Sequence, residues 1–204
     1  MMVNRLAVEF LDYGLDCRIQ NLSAKPRKEN VTFPTVVANI GYAPKDEPRK
    51  HKRLRAKNSS DIVKVEYSFN EVTLEVEHIQ LADSGEILAY SLSDLIAEKY
   101  RAILQQEIRK RFRRQDAYDI YYLLQNYSPQ TLEDKAKILD SLRKKSMDRN
   151  VPLGRYALRE ENTKNRSRKE YHLLSYELPG PPPDFDKVYD FIQAFYESLP
   201  WSEF

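Results

Sequence analysis

The chain has 204 residues, 41% apolar and 31% charged, with a net charge of +2, which fits one compact domain or two small lobes of a soluble protein with a heavily charged surface. No apolar run approaches the roughly 20 residues that a bilayer span needs, and the opening stretch MMVNRLAVEFLDYG has acids and no apolar signal core, so neither a membrane nor a secretory assignment is expected. One cysteine, Cys17, and three scattered histidines, His51, His78 and His172, exclude a disulfide framework and a zinc centre and fit a reducing cytoplasm.

In chain order, Val31 to Tyr42 is rich in β-branched and aromatic residues and reads as a strand, with Pro34 marking an edge or irregular start. Pro44 to Asp61 reads as a charged loop. Ile62 to Phe69 and Val72 to His78 alternate apolar and polar residues on either side of Asn70-Glu71, which predicts a β-hairpin. Ile87 to Tyr90 gives one further short strand. At Ser91 the period changes, and Leu95, Ile96, Ala102, Ile103 and Phe112 return at helical spacing behind Ser91 or Ser93 as N-cap. Asp116 to Tyr127 is a second helix, stopped by Ser128-Pro129. A third runs from the cap Thr131, with Asp134 three residues on, to about Met147. A polar connection to about Lys169 and a stiff Leu178 to Pro183 segment then lead to an acidic amphipathic helix, Asp184 to Leu199. Strands followed by helices predict an α+β protein, with a β-rich part over residues 1–91 and a helical part over 92–204.

The charge is unevenly spread. Lys45 to Lys57 holds seven basic and two acidic residues, Lys99 to Arg114 seven basic residues against Glu107 alone, and Glu177 to Phe204 six acids against Lys187. Such asymmetry points to an anionic ligand near the middle of the chain or, equally, to solvated basic faces and an acidic tail.

Two constellations could carry chemistry. In the expected hairpin Phe69 pairs with Val72, which sets Glu66 opposite Glu75 and Lys64 opposite Glu77, with Val63, Val65, Tyr67, Leu74 and Val76 on the core side. Like charges facing each other need a cation or water between them. Glu66 is therefore either part of a solvated face neutralised by Lys64 or a metal ligand or base projecting from the sheet. The second constellation runs from Tyr90 to Leu124. Lys99 falls mid-helix among largely apolar neighbours, so it either snorkels or reaches a buried anion. Arg109, Lys110, Arg111, Arg113 and Arg114 offer further donors to phosphate. Asp116 and Asp119 open the next helix, where capping and ion pairing to Arg113 or Arg114 would explain them as well as a site would. Tyr118, Tyr121 and Tyr122 flank the pair and suit base stacking or core packing. No glycine-rich phosphate loop and no Ser-His-Asp order is present.

Three stretches in order, VKVEYSFNE (Val63 to Glu71), YSLSDLIAEKYRAIL (Tyr90 to Leu104) and RFRRQDAYDIYYLL (Arg111 to Leu124), resemble the AbiEii/AbiGii toxin family, nucleotidyltransferases of type IV toxin–antitoxin and abortive-infection systems. The resemblance implies a nucleotidyltransferase-like mixed or antiparallel sheet followed by a C-terminal helical bundle. It implies Mg²⁺-dependent transfer of a nucleotide from an NTP to RNA such as tRNA, or to protein, and a cognate antitoxin as partner. By position it makes Glu66 the third acidic, metal-holding residue, Lys99 the lysine that reaches the nucleotide phosphates, and Asp116 and Asp119 the Asp-x-x-Asp that follows. Glu66, Lys99 and Asp116 are then the catalytic candidates, Lys64, Lys99, Arg101, Arg113 and Arg114 the nucleotide-binding ones, and Asp119 a support. The family's Gly-Ser and Asp-x-Asp block has no counterpart here, because no glycine is followed by serine. The expectation is accordingly a C-terminal portion or a divergent copy, with a non-catalytic nucleic-acid- or protein-binding module that keeps the fold as the alternative.

Overall fold

The computed structural model describes residues 14–27, 30–70, 73–81, 85–127, 129 and 131–201. The chain divides into two compact units, Met1–Glu71 and Val72–Phe204. In both, small antiparallel sheets and helices combine as an α+β fold.

The first unit is an antiparallel sheet in the order β1-β2-β3, made of β1 (Leu15–Lys25), β2 (Thr35–Pro44) and β3 (Ile62–Ser68). β1 pairs with β2 from Leu15 opposite Pro44 to Lys25 opposite Thr35, with an irregularity between Ile19 and Asn21. The shift splits the alternation of LDCRIQNLSAK into two short runs of opposite phase, Leu15, Cys17 and Ile19 before it and Leu22 and Ala24 after it. β2 supplies buried Val37 and Ala43. Gly41 is required by close approach, since a Cβ there would lie 2.8 Å from both the Gln20 side chain and Ser59 Cβ. Gln20 uses that space: its amide donates to Leu54 O at 3.2 Å and accepts from Ser59 N at 3.1 Å.

The charged stretch expected as a loop contains α1 (Pro48–Arg55). Its one buried side chain is Leu54, too little for a periodic signal. Pro48 in the first turn and Lys52, Arg53 and Arg55 in the last suit a helix's two ends.

The expected hairpin is not the observed pairing. β3 pairs with β2, Glu66 facing Val37 and Lys64 facing Asn39. Asn70 adopts a left-handed φ of 60° and its amide donates to Thr32 O at 2.9 Å, while Phe69 N donates to Pro34 O at 2.8 Å. These bonds tie the end of β3 to the segment before β2. Glu71 and Val72, the other half of the expected turn, lie outside the described residues. The expected core side is also corrected: Val63, Val65 and Tyr67 are 53%, 44% and 62% exposed.

The second unit begins with β4 (Val76–Leu81) and β5 (Gly85–Tyr90), paired antiparallel with Val76 opposite Tyr90 and Ile79 opposite Ile87. Glu75 directly precedes β4, and its carbonyl accepts from Ser91 N at 3.1 Å. The two strands belong with the helices that follow. Among the described residues the α-helices that follow are α2 (Leu92–Gln105), α3 (Arg114–Tyr127), α4 (Leu132–Asp148), α5 (Glu161–Arg168) and α6 (Phe185–Glu197). The polar connection expected before Lys169 holds α5 and a short 3-10 turn, Ala157–Arg159, whose Leu158 is fully buried.

Capping sets the helix starts. Ser91 Oγ accepts from Asp94 N, Thr131 and Asp134 form a reciprocal capping box, and Asp184 accepts from Lys187 N. The core is one cluster in which Ile96, Tyr100 and Ile103 of α2 meet Ala117, Ile120, Leu124, Ile138, Leu142, Val188 and Ile192. Tyr100 is buried, and its hydroxyl donates to Ile192 O at 2.8 Å, which satisfies the polar end of an otherwise apolar side chain. α2 stops at Gln105, so Phe112, expected on the same helix, stands on the turn that follows and is 40% exposed.

Candidate functional site

α2 turns Ile96, Ala97, Tyr100 and Ile103 into the core, and α3 turns Ala117, Ile120 and Leu124 toward the same cluster. Lys99 on one helix and Asp116 and Asp119 on the other fall beside these buried faces, because each lies one or two positions from a buried residue. They meet there. Lys99 Nζ is 2.6 Å from Asp119 Oδ2 and 3.4 Å from Asp116 Oδ1. Arg113 Nη1 is 3.4 Å from Asp116 Oδ2. The side chains of Lys99, Asp116 and Asp119 are 19%, 15% and 34% exposed, so the cluster is sheltered but open to water.

Electrostatics follow from that shelter. Burial raises the Asp116 carboxyl above its ordinary value, Lys99 and Arg113 pull it back, and Asp119 pushes in the same direction as burial. The ammonium of Lys99 has three N–H groups and gives two directions to carboxylates, which fixes its place and leaves donor capacity for an anion. Arg113 Nε is buried without a hydrogen-bond partner among the described residues.

The other candidates are placed differently. Arg101 is buried, its guanidinium bonded to Glu98 and, at 2.5 Å, to Gln105 Oε1. Arg114 reaches Glu170 Oε2 at 3.2 Å and Glu177 Oε1 at 2.9 Å. In the first unit, Glu66 is ion-paired with Lys64 and lies 3.7 Å from Lys25 Nζ. The Lys64 contact holds the exposed Glu66 carboxyl below its usual range, with Lys25 adding to it. Tyr118 and Tyr122 stack at 6.3 Å on α3, and Tyr121 packs edge-on against Phe191 at 5.4 Å.

Sequence reasoning missed the acids that hold Arg114, which stand more than 50 residues further along the chain and leave no local signal. It also missed a buried ion pair, Asp94 to Lys145 at 3.1 Å, with Ser141 Oγ donating to Asp94. Those side chains brace the start of α2, the helix that carries Lys99.

A family model described as nucleotidyl transferase AbiEii toxin, type IV TA system, matches residues 13–191. No curated protein and no solved structure matches the chain.

Proposed function

The chain belongs to the AbiEii family of nucleotidyl transferase toxins from type IV toxin–antitoxin systems, and from that premise we propose that the Lys99 cluster between α2 and α3 receives the phosphates of an NTP whose nucleotide is passed to RNA such as tRNA, or to protein. The observation that carries the reading is the Lys99 ammonium, sheltered and held between Asp116 and Asp119. Transfer forms a bond from an acceptor oxygen to the α-phosphorus and releases pyrophosphate. A fixed cation beside the phosphates offsets the charge that develops on the leaving group. Lys99 is given that role. Arg113 is a second phosphate donor, and Asp116 and Asp119 are positioning residues that aim the lysine. Arg114 and Arg101 are given bracing roles, since carboxylates or an amide already engage their guanidinium groups.

Nucleotidyl transfer in such families generally uses a divalent metal, Mg²⁺ with the NTP in this proposal. Among the described residues no group of three or more His, Cys, Asp or Glu could hold a metal ion. Glu66, the expected ligand, faces two ammonium groups. Glu66 and the Lys99 cluster do not by themselves fit a resident Mg²⁺. The ion pairs that engage Glu66 favour the second reading, a module that keeps the fold and binds nucleic acid or protein without catalysis.

The toxin–antitoxin family implies an antitoxin partner. Among the described residues no helix is long and apolar enough to cross a membrane, and we propose a cytoplasmic site of action. Growth on inducing the gene tests the transfer reading. Arrest by the wild type and growth with Lys99→Met support it, whereas equal arrest by both contradicts it.

A further inference from the structure

α2 ends at Gln105, and the chain turns before α3 begins at Arg114. The turn is firmly built. Arg109 N donates to Gln105 O and Arg111 N to Gln106 O, both at 2.9 Å, and Lys110 takes a left-handed φ of 52°. Gln106 is buried, and its amide donates to Thr163 O at 2.8 Å and Ser167 Oγ at 3.0 Å, which pins the turn to α5.

The turn presents Arg109, Lys110 and Arg111 to solvent, together with the exposed apolar side chains Ile108 and Phe112. Lys169, just past α5, sets its ammonium 4.2 Å from the centre of the Phe112 ring. Among the described residues, no carboxylate lies within ion-pair distance of Arg109, Lys110, Arg111 or Lys169, whereas Arg101, Arg113 and Arg114 are each paired. Partial burial, and after it the neighbouring Arg149, Arg111, Arg101 and Arg113, lower the Arg109 pKa.

We propose that the turn between α2 and α3 is a docking track for single-stranded RNA, with phosphates laid on Arg109, Lys110, Arg111 and Lys169 and a base stacked against Phe112. The choice of RNA rests on the transfer reading above, in which RNA is an acceptor. Cations alone would serve an acidic protein equally well. The exposed aromatic ring among them favours a nucleic acid, because every base offers a π-face and stacking needs no particular sequence. The same turn ends in Arg113, which contacts Asp116, so a strand on the track would run to the Lys99 cluster.

The test is fluorescence anisotropy with a short labelled homopolymer RNA and the full chain. With four cations on phosphates, affinity should fall roughly fifty-fold between about 50 and 200 mM salt, a log–log slope of about −3. Arg109→Ala with Arg111→Ala should bring that slope to about −1.4. Phe112→Leu should weaken binding about tenfold with the slope unchanged. All three changes lie on exposed side chains, and circular dichroism checks that each variant folds. Unchanged RNA binding in the double variant, or no RNA binding by the wild type, overturns the track. So does polyglutamate binding at the turn with RNA binding absent, which would make it a protein-docking surface. NTP-induced thermal shift is measured on the same proteins: loss of RNA binding with that shift intact isolates the track, and absence of the shift in the wild type counts against the transfer reading alone.

Discussion

Lys99 Nζ lies 2.6 Å from Asp119 Oδ2, between two helices that both contribute buried side chains to one apolar core. The two residues are 20 positions apart, and α2 and α3 hold both at the edge of one core. A lysine beside apolar residues gains its place from the carboxylates it meets, and with Asp116 at 3.4 Å the ammonium is held from two sides. Such a group is ordered before any ligand arrives, so less side-chain freedom is lost on binding.

The raised pKa of Asp116 sets a pH dependence. A carboxyl whose folded value lies above its ordinary 3.8 contributes stability that is fully present below that value and is lost as pH rises through the folded value. Asp116→Asn removes the titration. Melting curves of wild type and variant should therefore diverge in the variant's favour as pH climbs from about 3.8 through the carboxylate range. A difference that stays constant with pH contradicts the assignment.

Asp186 behaves in the opposite sense. Arg168 grips it with two hydrogen bonds of 2.6 and 2.7 Å, and with Lys164 brings its carboxyl down to about 2. Its contribution is present above 3.8 and is lost as pH falls toward about 2. Asp186→Asn should flatten that acid limb, read as a smaller drop in melting temperature on acidification.

Asp94 and Lys145 are 1% and 4% exposed, which makes their pairing expensive to break from one side. Lys145→Met leaves a buried carboxylate with Ser141 as its remaining support, and should cost about 3–5 kcal/mol in urea unfolding. Changing both partners, Asp94→Leu with Lys145→Met, should recover much of that loss, because the double change removes the stranded charge.

Local signals were legible where one element carried them. Ser91, Thr131 and Asp184 announced their helices, because a cap lies within three residues of the group it satisfies. The Tyr90 to Leu124 segment stood out for its clustered arginines followed by paired acids. Pairing across the sheet was not legible. Val63, Val65 and Tyr67 alternate as a core strand would and are nevertheless exposed, since alternation states which residues share a face and not what covers it. α1 has one buried residue and so gave no helical period, and in β1 the irregularity divides the alternation into two short runs of opposite phase. The partners of Arg114 and of Asp94 come from far along the chain, where only the fold brings them near.

The central claim is that Lys99 meets nucleotide phosphates. Its most direct measurement is calorimetric titration of NTP, with Mg²⁺, into wild type, Lys99→Met and Lys99→Arg. Arg113 remains beside Asp116 in both variants, and circular dichroism checks that each folds. Loss of one charge-assisted phosphate contact is worth about 1.5–3 kcal/mol, or roughly a ten- to hundredfold weaker NTP for Lys99→Met, with partial recovery in Lys99→Arg. Equal NTP affinity in wild type and Lys99→Met, with both proteins folded, would contradict the account.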